Sequence, residues 1–468
     1  MNGEPLDYAL VRSLQTQVAQ WLTEAKQARE AARAQPLTAA DERQQALSLI
    51  QTAVSKHMHA QITAGVELPD GSYDRRLIDA VDAAIYGAGQ LQDLLDDPEV
   101  ENVDINGCNE VWVTYADGRG TVRGRPVAAT DEELVDIVRT LGSYAGLNAR
   151  PFTAASPELD LRLPDGSRLS AVMAASERPL VSIRRNRFPQ MFLAEIPAAV
   201  RRNSDPGSTG ASTLLALGTV DAPLASFLAA AVLSRANLMV AGATDAGKTT
   251  LLRALVNCIP PQERLVTVER ALELGLRRHP ELHENVAEME EVLASADGGG
   301  GLTIRQLVRR TRRQNPSRVI VGEVLGPEVV EMLSAMSQGN DGSLSTIHAR
   351  DATDVFSRLA TYGAQYEGLP FEVTHALIGT SIDFVVFIRK NPLLGGRRTV
   401  TEVLEVSGSA DGRVTRSRIF TPSPIDGRAV RDPEVAIMRA EQLSAAGFAD
   451  APIWDTTAWS AGSSSGRG

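Results

Sequence analysis

The sequence predicts an α/β protein: a doubly wound parallel sheet in the C-terminal half, a small α+β domain before it, and an N-terminal helical region. Three observations carry this. After residue 220, strand-length apolar runs alternate with helix-length amphipathic ones, the pattern of parallel βαβ units. Near Pro98 the texture switches to strand-like runs separated by hairpin signals. Before that point, apolar residues recur at spacings of three and four.

In chain order, Val11, Leu14, Val18 and Leu22 mark a first amphipathic helix, Glu42 to Ile62 a second and Arg75 to Leu95 a third. Pro36 and Pro69-Asp70-Gly71 punctuate them. Strands are expected at Val100–Ile105 and Glu110–Tyr115, with turns at Asn106-Gly107 and Asp117-Gly118. A helix follows from Thr130, with Asp131, Glu132 and Glu133 in its first turn. Further strands are expected at Leu159–Leu163, Arg168–Met173 and Leu180–Ile183. Residues 201–213 are rich in Ser, Gly and Pro and read as a linker or mobile loop.

The α/β part reads as helix 221–234, strand 237–241, helix 248–257, strand 264–268, helix 302–313, strand 318–322, helix 326–337, strand 344–347 and helix 351–362. A flexible break falls at Gly298–Gly301, and the pattern weakens after about 405. The expected divisions are a helical region 1–95, an α+β domain 96–200, a linker 201–220, an α/β domain 221–430 and a partly disordered tail 431–468.

Composition excludes several classes. Hydrophobic content of 43% supplies full cores. A net charge of -11 argues against a general nucleic-acid coat. Two distant cysteines, Cys108 and Cys258, build neither a disulfide framework nor a four-cysteine zinc site, so a cytoplasmic home is expected. The longest uncharged apolar run, Ala222–Ser234, has 13 residues. A membrane span needs about 20, so membrane association is expected to be peripheral. Among 47 basic residues the lysines are Lys26, Lys56, Lys248 and Lys390, and the rest are arginine. That bias is most simply genomic, but a lysine kept in a special place stands out.

Lys248 is such a lysine. Gly242-Ala243-Thr244-Asp245-Ala246-Gly247-Lys248-Thr249 fits G-x-x-x-x-G-K-[ST], between an expected strand and a helix that continues through Thr250. The glycines let backbone N–H groups and the helix N-terminus approach phosphate oxygens. Lys248 supplies a point charge to the β- and γ-phosphates, and the Thr249 hydroxyl is a ligand for Mg²⁺. The apolar run Arg318–Gly322 ends on Glu323. From there a carboxylate can orient the attacking water or assist the metal shell. The run Arg264–Val268 ends on Glu269, which serves either a ligand or the dipole of a following helix. After a glycine-rich turn and a short strand comes His348, a candidate phosphate sensor or cross-sheet hydrogen-bond donor.

The ordered set of residues 242–250, 263–274, 316–324 and 339–349 resembles the bacterial secretion ATPases, within them most the CpaF/TadA branch, near the VirB-type conjugation ATPases. The likeness extends to residues 94–113, 159–172 and 181–185 and covers about 75–405. It implies a homohexameric ring of subunits, each with a PAS-like domain and a RecA-like P-loop domain, nucleotide lying between the two. It implies ATP and Mg²⁺ as ligands, with Glu323 as catalytic carboxylate, Glu269 as assisting acid and His348 as a further site residue. Arg162, Arg168 and Arg184, and also Arg309 and Arg313, match family arginines that place charge near phosphates. As partner it implies a platform protein of a pilus or secretion system at the inner face of the membrane, and no direct nucleic acid is favoured.

The chain departs from the family pattern at several places. Asp245-Ala246 replaces Gly-Ser inside the loop, and Arg270, Asn315, Leu325 and Asn340 stand where the pattern has Asp, Arg, Arg and His. ATP binding with slowed turnover is the expectation. The cluster Arg305, Arg309, Arg310, Arg312, Arg313 and Arg318 is read as serving subunit contacts and nucleotide charge in preference to DNA. His279 and His283, interrupted by Pro280, are read as a solvated face rather than a metal pair.

Overall fold

The structure, a computed structural model, describes residues 6–449 apart from 33–36, 38, 66–71, 87, 117, 144–151, 164, 189, 199, 201–210, 293–299 and 338. The breaks expected at Pro36 and at 69–71, most of the linker's start, Gly298 and the Ser/Gly-rich end therefore lie outside the described residues. The chain divides into two compact units between Arg187 and Phe188.

In the first unit α1 (Tyr8–Ala31), α2 (Ala39–Thr63) and α3 (Tyr73–Tyr86) pack together. Val11, Leu14 and Val18 are buried against Ile50, Val54, Leu77 and Val81, so the spacing of three and four is a core stripe. The third helix is shorter than expected. It ends at Tyr86, and Gly89, with φ +55°, breaks it before a 3-10 turn and the short α4 (Gln92–Asp96).

Strands β1 (Val100–Asn106), β2 (Val111–Tyr115) and β3 (Gly120–Arg123) follow, then α5 (Asp131–Ser143), then β4 (Glu158–Arg162), β5 (Arg168–Val172) and β6 (Leu180–Arg184). They form an antiparallel sheet in the order β3-β2-β1-β6-β5-β4. Alternate residues Leu159, Leu161, Leu169, Ala171, Val181 and Ile183 enter a core shared with Leu134 and Val138 of α5.

The second unit begins with β7 (Gln190–Phe192), paired in parallel with β8 (Ala211–Thr213). The division falls at 187/188 because β7 is tied to a later helix. Arg253 donates to the Phe188 carbonyl (2.6 Å) and Asn257 to that of Met191 (2.9 Å). Next come α6 (Ala222–Leu233), β9 (Leu238–Gly242), α7 (Lys248–Val256), β10 (Leu265–Glu269), β11 (Val286–Glu290), α8 (Ile304–Thr311), β12 (Arg318–Val324), α9 (Val329–Ser337), β13 (Leu344–His348), α10 (Asp354–Glu367) and α11 (Phe371–Ser381). The α6 helix is capped by Asp221, whose carboxylate accepts from Leu224 N–H (2.8 Å).

One nine-stranded sheet organises this unit, in the order β11-β10-β12-β13-β9, then β14 (Phe384–Asn391), β15 (Arg397–Ala410), β16 (Arg413–Pro422) and β17 (Ala429–Arg431). From β11 through β14 the pairing is parallel. The last three strands are antiparallel, so the sheet is mostly, not wholly, parallel. Both faces of the parallel part are covered. Leu238 and Val240 face Leu224, Leu228, Leu251 and Leu255, while Met239 and Ala241 face the side holding Leu307, Met332, Leu333 and Leu359. Past 405, where the sequence pattern weakens, β16, β17 and α12 (Ala440–Ala445) complete the unit, and Leu443 and Phe448 are buried in the core with Phe227.

Candidate active site

Four consecutive parallel strands, β10, β12, β13 and β9, finish along one edge of the sheet. At or near their carboxyl ends stand Glu269, Glu323, His348 and Gly242, with His348 directly opposite Gly242 in register. Ligand sites in parallel sheets form at this edge.

The loop 243–247 joins β9 to α7. Gly247, φ +96°, makes the turn into the helix, and the N–H groups of the first helical turn, at Lys248, Thr249 and Thr250, emerge at its positive end. Gly242 is required by crowding: a Cβ there would lie 2.2 Å from the Ile388 carbonyl oxygen. The exposed residues Ala243 and Thr244 and the buried Ala246 complete the loop.

Lys248 is 8% exposed, and its ammonium donates to the Ala243 carbonyl (3.1 Å), closing over the loop. The same nitrogen lies 3.2 Å from His348 Nδ1, while His348 Nε2 lies 2.7 Å from Glu323 Oε1. These contacts fit one tautomer: Nε2 carries the proton and donates to Glu323, and Nδ1 accepts from Lys248. Burial, then the neighbouring Lys248 charge, lowers the His348 pKa, with Glu323 opposing, so the ring is held neutral. The result is a line of groups, Lys248–His348–Glu323, across the ends of three elements. A neutral imidazole separates the cation from the carboxylate and keeps Lys248 available to an anion.

Glu269 is 3% exposed and occupied by its own loop, accepting from Glu273 N–H (2.8 Å) and Leu274 N–H (2.9 Å). In this conformation its carboxylate caps the turn after β10. Arg270 points outward, 68% exposed, to Glu291 at 3.3 Å. Asn315 takes φ +49° in the turn before β12, Leu325 N–H donates to Glu328, and Asn340 donates to Ala335 O (3.3 Å) at the end of α9.

The arginines expected from the sequence fall on two separate groups of elements. Arg162, Arg168 and Arg184 belong to the first unit, where they form one cross-strand row over β4, β5 and β6. Arg309 and Arg313 are exposed on α8 and the turn after it. That helix starts where Ile304 N–H meets Glu291 and runs back to where Gln314 O accepts from Arg264, before the start of β10. Arg309 and Arg313 thus lie toward the sheet edge away from the chain's own P-loop.

The arginine cluster is not one stripe. Arg318 is 1% exposed, paired with Glu263 (2.8 Å) and donating to Val232 O (2.7 Å), and Arg305 pairs with Glu331 and Glu367. His279 meets Gln190 (2.7 Å) and His283 meets Asn257 (2.9 Å), separate partners in each case. Among the described residues no group of three or more His, Cys, Asp or Glu is placed to hold a metal ion. None of their helices is long and apolar enough to cross a membrane.

Two residues at the loop escape sequence reasoning. Lys390 of β14 and Arg398 of β15 both pair with Asp245, the latter at 2.9 Å. The scarcity of lysine, which singled out Lys248, also held the signal for Lys390.

A glycine-bounded loop feeding a helix at the carboxyl edge of a mostly parallel sheet, with strand-end acid and histidine beside it, defines a P-loop nucleotide-binding protein. Residues 86–415 match the family model described as type II/IV secretion system protein, and the chain belongs to this family, within the type II/IV secretion ATPase superfamily. A conjugal transfer protein of Mycobacterium tuberculosis (strain H37Rv) is 32% identical over 338 residues, 70% of this chain and 87% of that one. The VirB11 protein of Agrobacterium fabrum is 29% identical, over 68% of this chain and 91% of its own. The solved VirB11 ATPase of the Brucella suis type IV secretion system, in complex with sulphate, is 26% identical over 69% of this chain and 97% of that one, with a TM-score of 0.34.

Proposed function

We propose that this chain is an ATP-hydrolysing motor that energises pilus assembly or protein secretion, of Tad/type IV pilus or type II kind, as a homohexameric ring. The observation that carries the reading is the line Lys248–His348–Glu323 at the mouth of the P-loop. The donor set fits a nucleoside triphosphate: helix-end N–H groups and a buried ammonium for phosphate oxygens, and a hydroxyl at Thr249 for Mg²⁺. The Thr249 hydroxyl would hold the metal, which would supply positive charge against the phosphates.

The chain's own groups do the rest. Lys248 moves its hydrogen bond from Ala243 O to the phosphates. Glu323, more than a third exposed, orients water and receives its proton. His348 holds Glu323 in place through Nε2–H. Arg309 and Arg313, remote from their own loop, serve the nucleotide of a neighbouring subunit, and Arg162, Arg168 and Arg184 supply charge from the first unit. Glu269 assists after its loop releases it. The partner is an inner-membrane platform protein, met through residues 1–95, which places the ring peripherally at the cytoplasmic face of the membrane.

Steady-state phosphate release tests the motor. Lys248→Ala should abolish it together with nucleotide binding. Glu323→Gln should keep binding and lower turnover by about 10²- to 10³-fold, the effect of losing one essential transition-state group. Unchanged turnover in Glu323→Gln refutes the assignment.

A second reading, a nucleotide-binding regulatory or scaffold subunit with weak hydrolysis, draws on the altered residues Asp245, Arg270, Asn315, Leu325 and Asn340. A third, a DNA-transfer ATPase, draws on the name of the mycobacterial relative. Slow release in the wild type with tight binding selects the second. Salt-dependent DNA binding lost on neutralising Arg309 and Arg313 selects the third.

A further inference from the structure

The P-loop carries an acid where its ligand is an anion, and the surrounding strands explain how. Asp245 has φ +60°, a left-handed conformation that Asp tolerates better than most residues. Its carboxylate pairs with Lys390 and with Arg398 Nη2 (2.9 Å), and its backbone carbonyl accepts from Arg398 Nε (3.0 Å). One guanidinium therefore grips both the side chain and the backbone of the same loop residue.

Lys390 and Arg398 stand directly opposite each other in the β14–β15 register. Like charges so placed are unfavourable, and Asp245 supplies the anion between them. The contact continues along the loop. A Cβ at Gly247 would lie 3.1 Å from Arg398 Cδ, and Gly242 is closed against the Ile388 carbonyl. The β14–β15 pair thus meets the loop at its start, its middle and its end.

We propose that Asp245, Lys390 and Arg398 form a latch that holds the P-loop in its phosphate-receiving shape before nucleotide arrives, and so sets nucleotide affinity. All three are positioning residues. The inference rests on the nucleotide-binding reading above. An ordered loop loses less freedom on binding, so the latch acts on affinity and leaves the hydrolytic step to Glu323. It also gives a reason for the Asp at a position where the family pattern has a small residue: the acid is neutralised within the chain.

The test is the affinity of a fluorescent ADP, by anisotropy, with kcat and KM for ATP measured in parallel. The variants are Asp245→Gly, Asp245→Asn, Arg398→Gln, Lys390→Met and the double variant Asp245→Gly/Arg398→Gln. Asp245→Gly and Arg398→Gln should each weaken binding about two- to thirtyfold, the range for two partly exposed ion pairs on one loop. The double variant should lose less than the sum of the two singles, because the carboxylate contact is shared while the backbone contact belongs to Arg398 alone. In Arg398→Gln and Lys390→Met, outside the loop, kcat at saturating ATP should stay within about twofold while KM rises. Asp245→Asn keeps the acceptor oxygen and the left-handed backbone and should fall between wild type and Asp245→Gly.

Tighter binding by Asp245→Gly would show that the acid merely repels the ligand and would overturn the latch. Additive losses in the double variant would overturn it as well. A wild-type protein that binds no nucleotide, indistinguishable from Lys248→Ala, overturns the functional reading itself, whereas a binding wild type with unaffected variants overturns the latch alone.

Discussion

Replacing Asn237 by alanine removes a buried junction. Asn237 is 4% exposed and stands immediately before β9. Its amide donates to Met336 O (2.9 Å) and Ser381 O (2.8 Å), and its carbonyl oxygen accepts from Gly342 N–H (3.0 Å) and Ser343 N–H (2.9 Å). One side chain thus satisfies the ends of α9 and α11 and the turn before β13. Alanine leaves four backbone groups without that partner, each worth about 1–3 kcal/mol when buried and unpaired. Relaxation and entering water recover part, so the expected loss is near the low end, about 4 kcal/mol. The assay is urea unfolding by far-UV circular dichroism, followed in the transition that shifts when ADP is added, since ligand stabilises the unit that binds it. The midpoint should fall with the slope m unchanged. A loss below about 1 kcal/mol would mean that the four groups find other partners, and the junction argument would fail.

Other perturbations have equally direct outcomes. Gly242→Ala should displace β14 or prevent folding, because its Cβ would meet the Ile388 carbonyl at 2.2 Å; a soluble variant with wild-type nucleotide affinity would contradict this. His283 is held by burial to a pKa of about 4 against 6.5 for the free group, so the unfolded chain binds more protons between these values. Stability should therefore fall as pH drops from about 6.5 toward 4, and His283→Asn should flatten that decline in urea midpoints measured at several pH values.

Local patterns were the legible part. The strand, loop and helix from Leu238 to Val256 sit within a residue or two of where alternation and the glycine motif put them. The strand carrying Glu323 runs two residues further than Gly322, to Val324. Long-range pairings left no such trace. β11 leaves no local signal, because its residues, Val-Ala-Glu-Met-Glu, are half-exposed throughout and carry no clear apolar run. The antiparallel strands after 405 were blurred by polar residues on the open face, as in β16. Asp245 meets Arg398 across 153 positions, and no local signal encodes that encounter. Its formal charge opposes a phosphate in the sequence and is neutralised by Lys390 and Arg398 in the fold. Arg309 and Arg313 illustrate the converse: a pattern in the chain names residues without telling which sheet edge they occupy.

The strand register carries a further consequence. Asn237 grips the residues just before β13 while leading directly into β9, so it aligns the two strands at their amino ends. From there the pairing runs Leu344 with Leu238 up to His348 with Gly242. At about 3.3 Å per residue, the alignment set at one edge is delivered about 13 Å away at the other. A slip of one residue would turn His348 to the opposite face and part it from both Lys248 and Glu323. The side chain that sets this spacing stands at the far end of the strands and touches none of Lys248, His348 and Glu323.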